Sequence, residues 1–265
     1  MTHGAVSRQM QVLEEWLGQK LFERSGQRMV PTPHALAFAQ EVSEALERID
    51  TAARRFGKGS ASMLLRVSVP ATFAMRWLIP RLPDFYQRHP GTLIQVQTAT
   101  TMQLTLAGSF DVAIRRSPAS NAHFSGVPFM DEWHTLVAAP SLLARCPLRT
   151  PDDLRHHTLL DTETRPGFWQ QWFNAAGYLD ELTPDRQRFD HFYVTYSALI
   201  DGLGVGVGPL PTLDHDVAAG RLVLPFPDIR TAAQRYICLT PVGVSKTAVH
   251  RMFEEWLLEL GDLTS

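Results

Sequence analysis

The 265-residue chain reads as an α/β protein with a separate helical segment at its start, and three features of the sequence say so. From Leu64 onward, short aliphatic runs alternate with stretches of helical periodicity, the pattern of β-α-β units built on a parallel sheet with right-handed crossovers. Before that, residues 32–56 hold apolar positions at a sustained 3-4 spacing typical of one long helix. Between the two lies Gly57-Lys58-Gly59-Ser60-Ala61-Ser62, a composition suited to a flexible linker and so to a domain boundary.

Bulk properties narrow the function classes. Hydrophobic residues make up 45% and charged residues 20%, so the chain can build cores and should fold. It contains no apolar run long enough to span a bilayer, and Met1 to Gln11 lack the apolar stretch of an export signal. The expectation is a cytoplasmic protein with no membrane partner. Cys146 and Cys238 stand in unrelated segments without metal-ligand or CxxC spacing, which predicts buried free thiols and no metal. A net charge of -2 argues against a protein that coats nucleic acid by charge alone. Within residues 1–30 there is an excess of only one positive charge.

The first element is an amphipathic helix. Ala5, Val6, Gln9, Val12 and Leu13 fall at near-helical spacing, with Thr2 available as the N-cap. After Gly18, residues 20–31 resemble two short strands around a Ser-Gly turn, so helix and hairpin together suggest part of a winged helix-turn-helix. The long helix follows. Its positions Ala35, Phe38, Val42, Ala45, Ile49, Ala52 and Phe56 form a straight seam for a partner helix, while Ala39, Leu46 and Ala53 widen that face enough to suit burial in a core as well. It would extend roughly 35 Å.

Beyond the linker, the expected order is a strand from Leu64 to Val69, a helix through Leu82 and Phe85, a strand from Leu93 to Thr98 after the Pro90-Gly91 turn, another helical stretch, and a strand from Phe110 to Arg115. A second unit runs from the strand at His157 to Asp161, through a helix from Phe168 to Ala176, to the strand Val205-Gly206-Val207. The last helix, Val249 to Leu260, carries Met252, Phe253, Trp256 and Leu260 on one face. Crossing segments at 134–139 and 235–240 would join the lobes twice, a geometry that permits hinge closure around a small molecule.

The run Thr2-His3-Gly4-Ala5-Val6-Ser7-Arg8-Gln9, then Leu13-Glu14, Leu17-Gly18 and Leu21-Phe22-Glu23-Arg24, resembles the recognition helix and wing of LysR-type transcriptional regulators. The likeness continues through Trp77-Leu78-Ile79-Pro80-Arg81-Leu82, Phe110 to Arg115, Phe189-Asp190-His191-Phe192 and Gly202-Leu203-Gly204-Val205, in the manner of the subgroup typified by the glycine-cleavage activator. It covers essentially the whole chain. In the family two helices precede this point, so the resemblance implies an N-terminally truncated member with half of its helix-turn-helix missing. Pro31-Thr32-Pro33-His34-Ala35 also departs from the usual Leu-Thr-x-x-Gly at the junction of wing and helix.

That resemblance implies a partial winged helix-turn-helix over 1–32, a linker and dimerisation helix over 33–57, a hinge linker over 58–63, and a periplasmic-binding-protein-like effector domain over 64–265. The first lobe would take about 64–138 and 238–265, the second about 139–237. Thr2, His3, Ser7 and Arg8 would approach base edges, and Arg24 and Arg28 the phosphates of operator DNA. The effector, a small molecule that an arginine could recognise as an anion, would lie beyond the carboxyl ends of the parallel strands. Thr72 ranks first among its contacts, at a helix N-terminus with Phe73 beside it. Thr100, Thr101 and Arg115 follow from the next strand ends, and Thr162, Trp169 and His191 from the second lobe. A threonine at a strand end can equally cap a helix, and Trp169 can equally be core.

The run Gly202 to Gly208 lacks the position and spacing of a dinucleotide fingerprint, so it reads as a helix C-cap followed by a closely packed strand. There is no GxSxG, HExxH or P-loop, so no enzyme and no cofactor is expected. A dimeric or tetrameric, effector-responsive regulator is the leading reading. A non-DNA-binding dimer that sequesters a metabolite or forms mixed dimers stands second, and a solute-binding protein third.

Overall fold

The computed structural model describes residues 3–25, 28–57, 63–99, 110–116, 123–178 and 185–262. The chain divides into two compact units at the boundary between Gly59 and Ser60, inside the linker that composition marks.

The first unit opens with α1 (His3–Leu17), which ends where Gly18 adopts a positive φ of 67°, a backbone geometry that favours glycine. A hairpin of β1 (Phe22–Ser25) and β2 (Arg28–Pro31) follows, with Phe22 opposite Pro31. Glu14 ties helix to hairpin, because its carboxylate accepts hydrogen bonds from the backbone N–H of Leu21 at 2.8 Å and from Lys20 Nζ at 2.9 Å. The long helix is α2 (Pro33–Gly57). Thr32 Oγ1 accepts the Ala35 N–H at 3.1 Å and Pro33 sits at the first helical position, so this junction, which departs from the family pattern at Pro31 and Ala35, makes a sound helix start. Of the expected seam, Ala35 is buried, whereas Val42, Ala45 and Ile49 are exposed. Ala52 and Phe56 have side chains outside the described set.

The second unit carries eight strands in the order β4-β3-β5-β10-β6-β9-β7-β8. These are β3 (Leu64–Pro70), β4 (Leu93–Ala99), β5 (Val112–Arg116), β6 (Phe124–Val137), β7 (Leu159–Thr162), β8 (Arg186–Phe189), β9 (Val205–Leu210) and β10 (Thr231–Pro241). The expected parallel pairs are present: β3 pairs with β4 and β5, and β7 with β9, while β8, a strand not foreseen from the sequence, also runs parallel to β7. The sheet is mixed and not parallel throughout, because β10 is antiparallel to β5 and β6, and β6 is antiparallel to β9. Strand β6 explains this. Its first part, from Phe124, pairs with β10, and its last part, Trp133–Val137, pairs with β9, so it leaves one lobe and enters the other while β10 runs back.

Each lobe has its own core. In the first, Val67, Val69, Val112, Ile114, Tyr236 and Cys238 line one sheet face beneath Phe73, Trp77, Phe85, Phe253 and Trp256. The helical cover there is α3 (Ala71–Phe73), a π-helical stretch over Ala74–Leu78, α4 (Ile79–Arg88) and the terminal α9 (Ala248–Asp262). Pro80 and Pro83 lack the N–H groups of a regular helix, and the wider turn just before them re-registers the backbone. Trp256 Nε1 donates to Asp84 Oδ2 at 2.8 Å and returns the C-terminal segment to the first lobe. The second lobe packs Leu136, Leu154, Trp169, Trp172 and Val205 on one side of its strands, and Val137, Leu160, Phe192, Leu199 and Leu213 on the other. The helices supplying these side chains include α5 (Pro140–Arg145), α6 (Phe168–Ala175), α7 (Phe192–Ile200) and α8 (Asp214–Ala218).

The glycine run behaves as its composition suggests. Gly202 takes φ 71° just beyond α7, and a Cβ on Gly204 would stand 2.2 Å from the Thr158 carbonyl oxygen.

Candidate functional site

Where β6 and β10 cross between the lobes, the structure buries charge. Glu132 and His134, alternate residues on β6, project to the same side, and Glu132 Oε1 accepts from His134 Nε2 at 3.1 Å and from Arg116 Nη1 of β5 at 3.3 Å. Tyr236, opposite Arg116 on β10, is fully buried and places its hydroxyl 3.3 Å from Thr212 Oγ1. From the second lobe comes Arg165, just after β7, with its guanidinium 4.3 Å from the Phe192 ring centre and 5.5 Å from that of Phe168. The His134 ring lies 4.2 Å from Phe168. Residues of both lobes therefore meet around one polar centre.

The electrostatics are unusual for so buried a place. Burial by itself would raise the Glu132 pKa, yet the His134 hydrogen bond and the charges of Arg116 and Arg165 hold it down to about 2. Burial keeps His134 below the ordinary histidine range, hence neutral at pH 7. Arg165 is lowered to about 10 by burial and by Arg116. Four buried polar atoms in this cluster have no hydrogen-bond partner among the described residues: Arg116 Nε, Glu132 Oε2, His134 Nδ1 and Arg165 Nη1.

A second polar hub links the lobes beside it. Arg76, on the π-helical stretch of the first lobe, forms a two-pronged pair with the fully buried Asp216 of α8, donating from Nε at 2.9 Å and also from Nη2. The same carboxylate accepts from Arg221 Nε at 2.8 Å and Tyr196 OH at 2.9 Å, and the Arg76 guanidinium lies 4.7 Å over the Tyr196 ring.

The sequence-predicted effector residues scatter around this centre. Thr72 is buried at the start of the α3 segment, which contacts α7. Phe73 is fully buried in the first-lobe core, with its ring 4.8 Å from Trp77 and 4.6 Å from Tyr236. Trp169 is also buried: its ring packs on Trp172 and Phe173, and its indole N–H donates to the Leu160 carbonyl at 3.0 Å. Arg115 is adjacent to Arg116 on a strand and so projects from the other face, where Nη1 donates to Ser68 O at 2.9 Å and Nη2 to Ser68 Oγ at 3.0 Å. Its neighbour Arg116 is the arginine that reaches the polar centre. Thr162 and Thr195 share a 2.7 Å hydroxyl contact that joins the end of β7 to α7, and half-buried His191 is the residue just before α7. Thr100 and Thr101 lie outside the described residues.

Arg116, Glu132, His134 and Tyr236 were not among the candidates drawn from the sequence. A period-2 signal was available, since Glu132 and His134 stand at alternate positions either side of Trp133 and so share one face of the strand. At the other end of the chain, Ser7 and Arg8 are exposed on α1 and Arg24 is exposed on β1. His3 and Arg28 occupy α1 and β2 with side chains outside the described set, and Thr2 lies outside the described residues altogether.

No described helix is long and apolar enough to cross a membrane. Comparison with known proteins places this architecture. Residues 58–262 match the model of the LysR substrate binding domain, and residues 1–36 that of the bacterial regulatory helix-turn-helix protein, lysR family. The chain is 29% identical over 259 residues to the glycine cleavage system transcriptional activator of Escherichia coli K12, covering 97% of this chain and 85% of that one. It is 30% identical over 257 residues to the transcriptional activator AmpR of Rhodobacter capsulatus, covering 97% and 87%. The solved effector domain of AmpR from Pseudomonas aeruginosa superposes with a TM-score of 0.64 at 28% identity, covering 76% of this chain and 96% of that domain. Helix, wing, long helix and two-lobed α/β domain, in that order and with those matches, make this chain a member of the LysR family of bacterial transcriptional regulators.

Proposed function

We propose that the chain acts in the cytoplasm as a homo-oligomeric regulator whose binding to operator DNA is controlled by an anionic small molecule held between the two lobes. The observation that carries this reading is the buried polar centre at the lobe junction, to which both lobes contribute side chains and in which guanidinium groups outnumber carboxylates. Thr72, Thr162 and His191 are proposed to border the effector. A molecule bridging the lobes would bias how far they close about β6 and β10.

The DNA contacts are assigned to Thr2, His3, Ser7, Arg8, Arg24 and Arg28, and self-association to residues 33–57. Leu36, Val42, Leu46 and Ile49 leave α2 with exposed apolar side chains on a single chain, which supports pairing with a second copy. The first lobe is assigned about 64–138 and 238–265 and the second about 139–237, a division that the course of β6 and β10 supports.

The test is an electrophoretic shift of the DNA upstream of the gene, with and without the R8A and R24A substitutions. The wild-type chain should retard that fragment as an oligomer, and loss of two phosphate or base contacts should weaken binding by about tenfold or more. Binding of unrelated DNA with equal affinity, or none at all, would reject the regulatory reading.

A further inference from the structure

The polar centre has a composition from which the chemistry of its ligand can be read. Its charged groups are Arg116 and Arg165 on one side and Glu132 on the other, with His134 neutral, so among the described residues the cluster holds one net positive charge out of reach of bulk water. Phe168 and Phe192 offset part of the Arg165 charge through their ring faces, but its Nη1 remains without a hydrogen-bond acceptor. Arg165 is 7% exposed, and Arg115 is no part of this count because it lies on the other face of the strand.

The unpartnered atoms divide by type. Arg165 Nη1 and Arg116 Nε are donors. Glu132 Oε2 is an acceptor, and His134, neutral and donating through Nε2 to Glu132, presents Nδ1 as an acceptor too. A complementary molecule therefore brings an anionic acceptor for the guanidinium groups and, on a neighbouring atom, a donor for Glu132 or His134. Charge decides what that donor is. An ammonium would make the ligand a zwitterion and leave the cluster positive, whereas a hydroxyl leaves the ligand with one net negative charge and neutralises it.

We propose that the effector is a monoanionic hydroxy acid whose carboxylate is read by Arg165 and whose hydroxyl donates to the Glu132–His134 pair. This rests on the regulatory reading above and names the ligand class of that same site. Phe168, Phe192 and the His134 ring surround Arg165 with apolar surface, so the size of the body attached to the acid is left for a small and an aromatic series to decide.

The experiment uses the full chain and a matched series: lactate and mandelate, their amides, the deoxy acids propionate and phenylacetate, and the zwitterions alanine and phenylglycine. Binding is read by calorimetry and by the shift in melting temperature. The hydroxy acids should bind, with the amides and deoxy acids weaker by about tenfold or more. Arg165→Met should weaken hydroxy-acid binding by at least about 30-fold, and Arg165→Lys, which keeps the charge without the fork, by less. Should Arg165→Met fail to fold, the Lys variant and the wild-type amide comparison still decide the matter. Amides that bind as well as acids, zwitterions that bind better than hydroxy acids, or a series in which nothing binds would each overturn the assignment. The DNA shift run in parallel separates the two claims: operator binding without a hydroxy-acid response overturns the ligand class alone, while loss of operator binding overturns the reading beneath it.

Discussion

Replacing Asp216 with Asn is expected to destabilise the two-lobed domain by about 3 kcal/mol. Its carboxylate has no exposure to solvent and accepts from Arg76, Arg221 and Tyr196 at once. Asparagine keeps the shape, but it turns one acceptor oxygen into a donor facing a guanidinium N–H and removes the charge that made these bonds charge-assisted. Such bonds contribute roughly 1.5–3 kcal/mol each, and breaking a fully buried pair costs about 3–5 kcal/mol. Arg76 and Arg221 keep 21% and 40% side-chain exposure and regain water, which places the loss at the lower end. For a domain of this size that lowers the Tm by about 6–12 °C in thermal unfolding followed by circular dichroism at pH 7. The pH dependence supplies an internal control. Burial alone would raise the Asp216 pKa, but the three donors lower it on balance, so its stabilisation is complete above the ordinary aspartate range and is lost as pH falls through the native value. Wild type and variant should therefore converge in acid. A fall of less than about 1 °C at pH 7, or a gap undiminished in acid, would refute the reasoning.

Phe73→Ala should cost about 3–5 kcal/mol, because the ring is fully buried between Trp77 and Tyr236; urea unfolding measures it, and a loss below about 1 kcal/mol would show that the ring does not anchor the core. Gly204→Ala places a methyl 2.2 Å from the Thr158 carbonyl oxygen, so soluble yield and Tm should both drop, whereas alanine at Gly91, whose Cβ would meet no neighbour, should bring only the smaller penalty of a positive φ. Thr32→Ala removes the cap of α2 and should destabilise that helix by about 1 kcal/mol, visible as faster amide exchange in its first turn. Glu132, held at about 2 in the native state, contributes stability that is present above about pH 4.5 and lost as the pH falls toward 2; a Glu132→Gln variant should show a flatter decline of Tm across that window.

Much of the fold was legible because its signals are local. The positive φ at Gly202 and Gly91, and the parallel strands at Leu64 and Leu93, sit where glycine, proline and β-branched patterns indicate. The antiparallel pairing of β10 was not legible, since a strand's partners depend on where the chain returns after a hundred residues and not on its own pattern. The same limit affected the site. Strand ends pointed to Arg115, and one residue of register separates it from Arg116, which faces the polar centre.

The sequence by itself determined the family, the order of helix, wing, long helix and α/β lobes, and the linker near Gly59, because motif spacing and periodicity are properties of neighbouring residues. Only the tertiary structure decided that Arg116, Glu132, His134, Arg165 and Tyr236, spread over 121 positions of the chain, share one buried centre, and that Phe73 and Trp169 belong to the cores. The physical reason is that burial and charge pairing arise from contacts made across strands and between lobes, and no local stretch of sequence records which distant side chain will neutralise, or leave exposed to a ligand, the charge it carries.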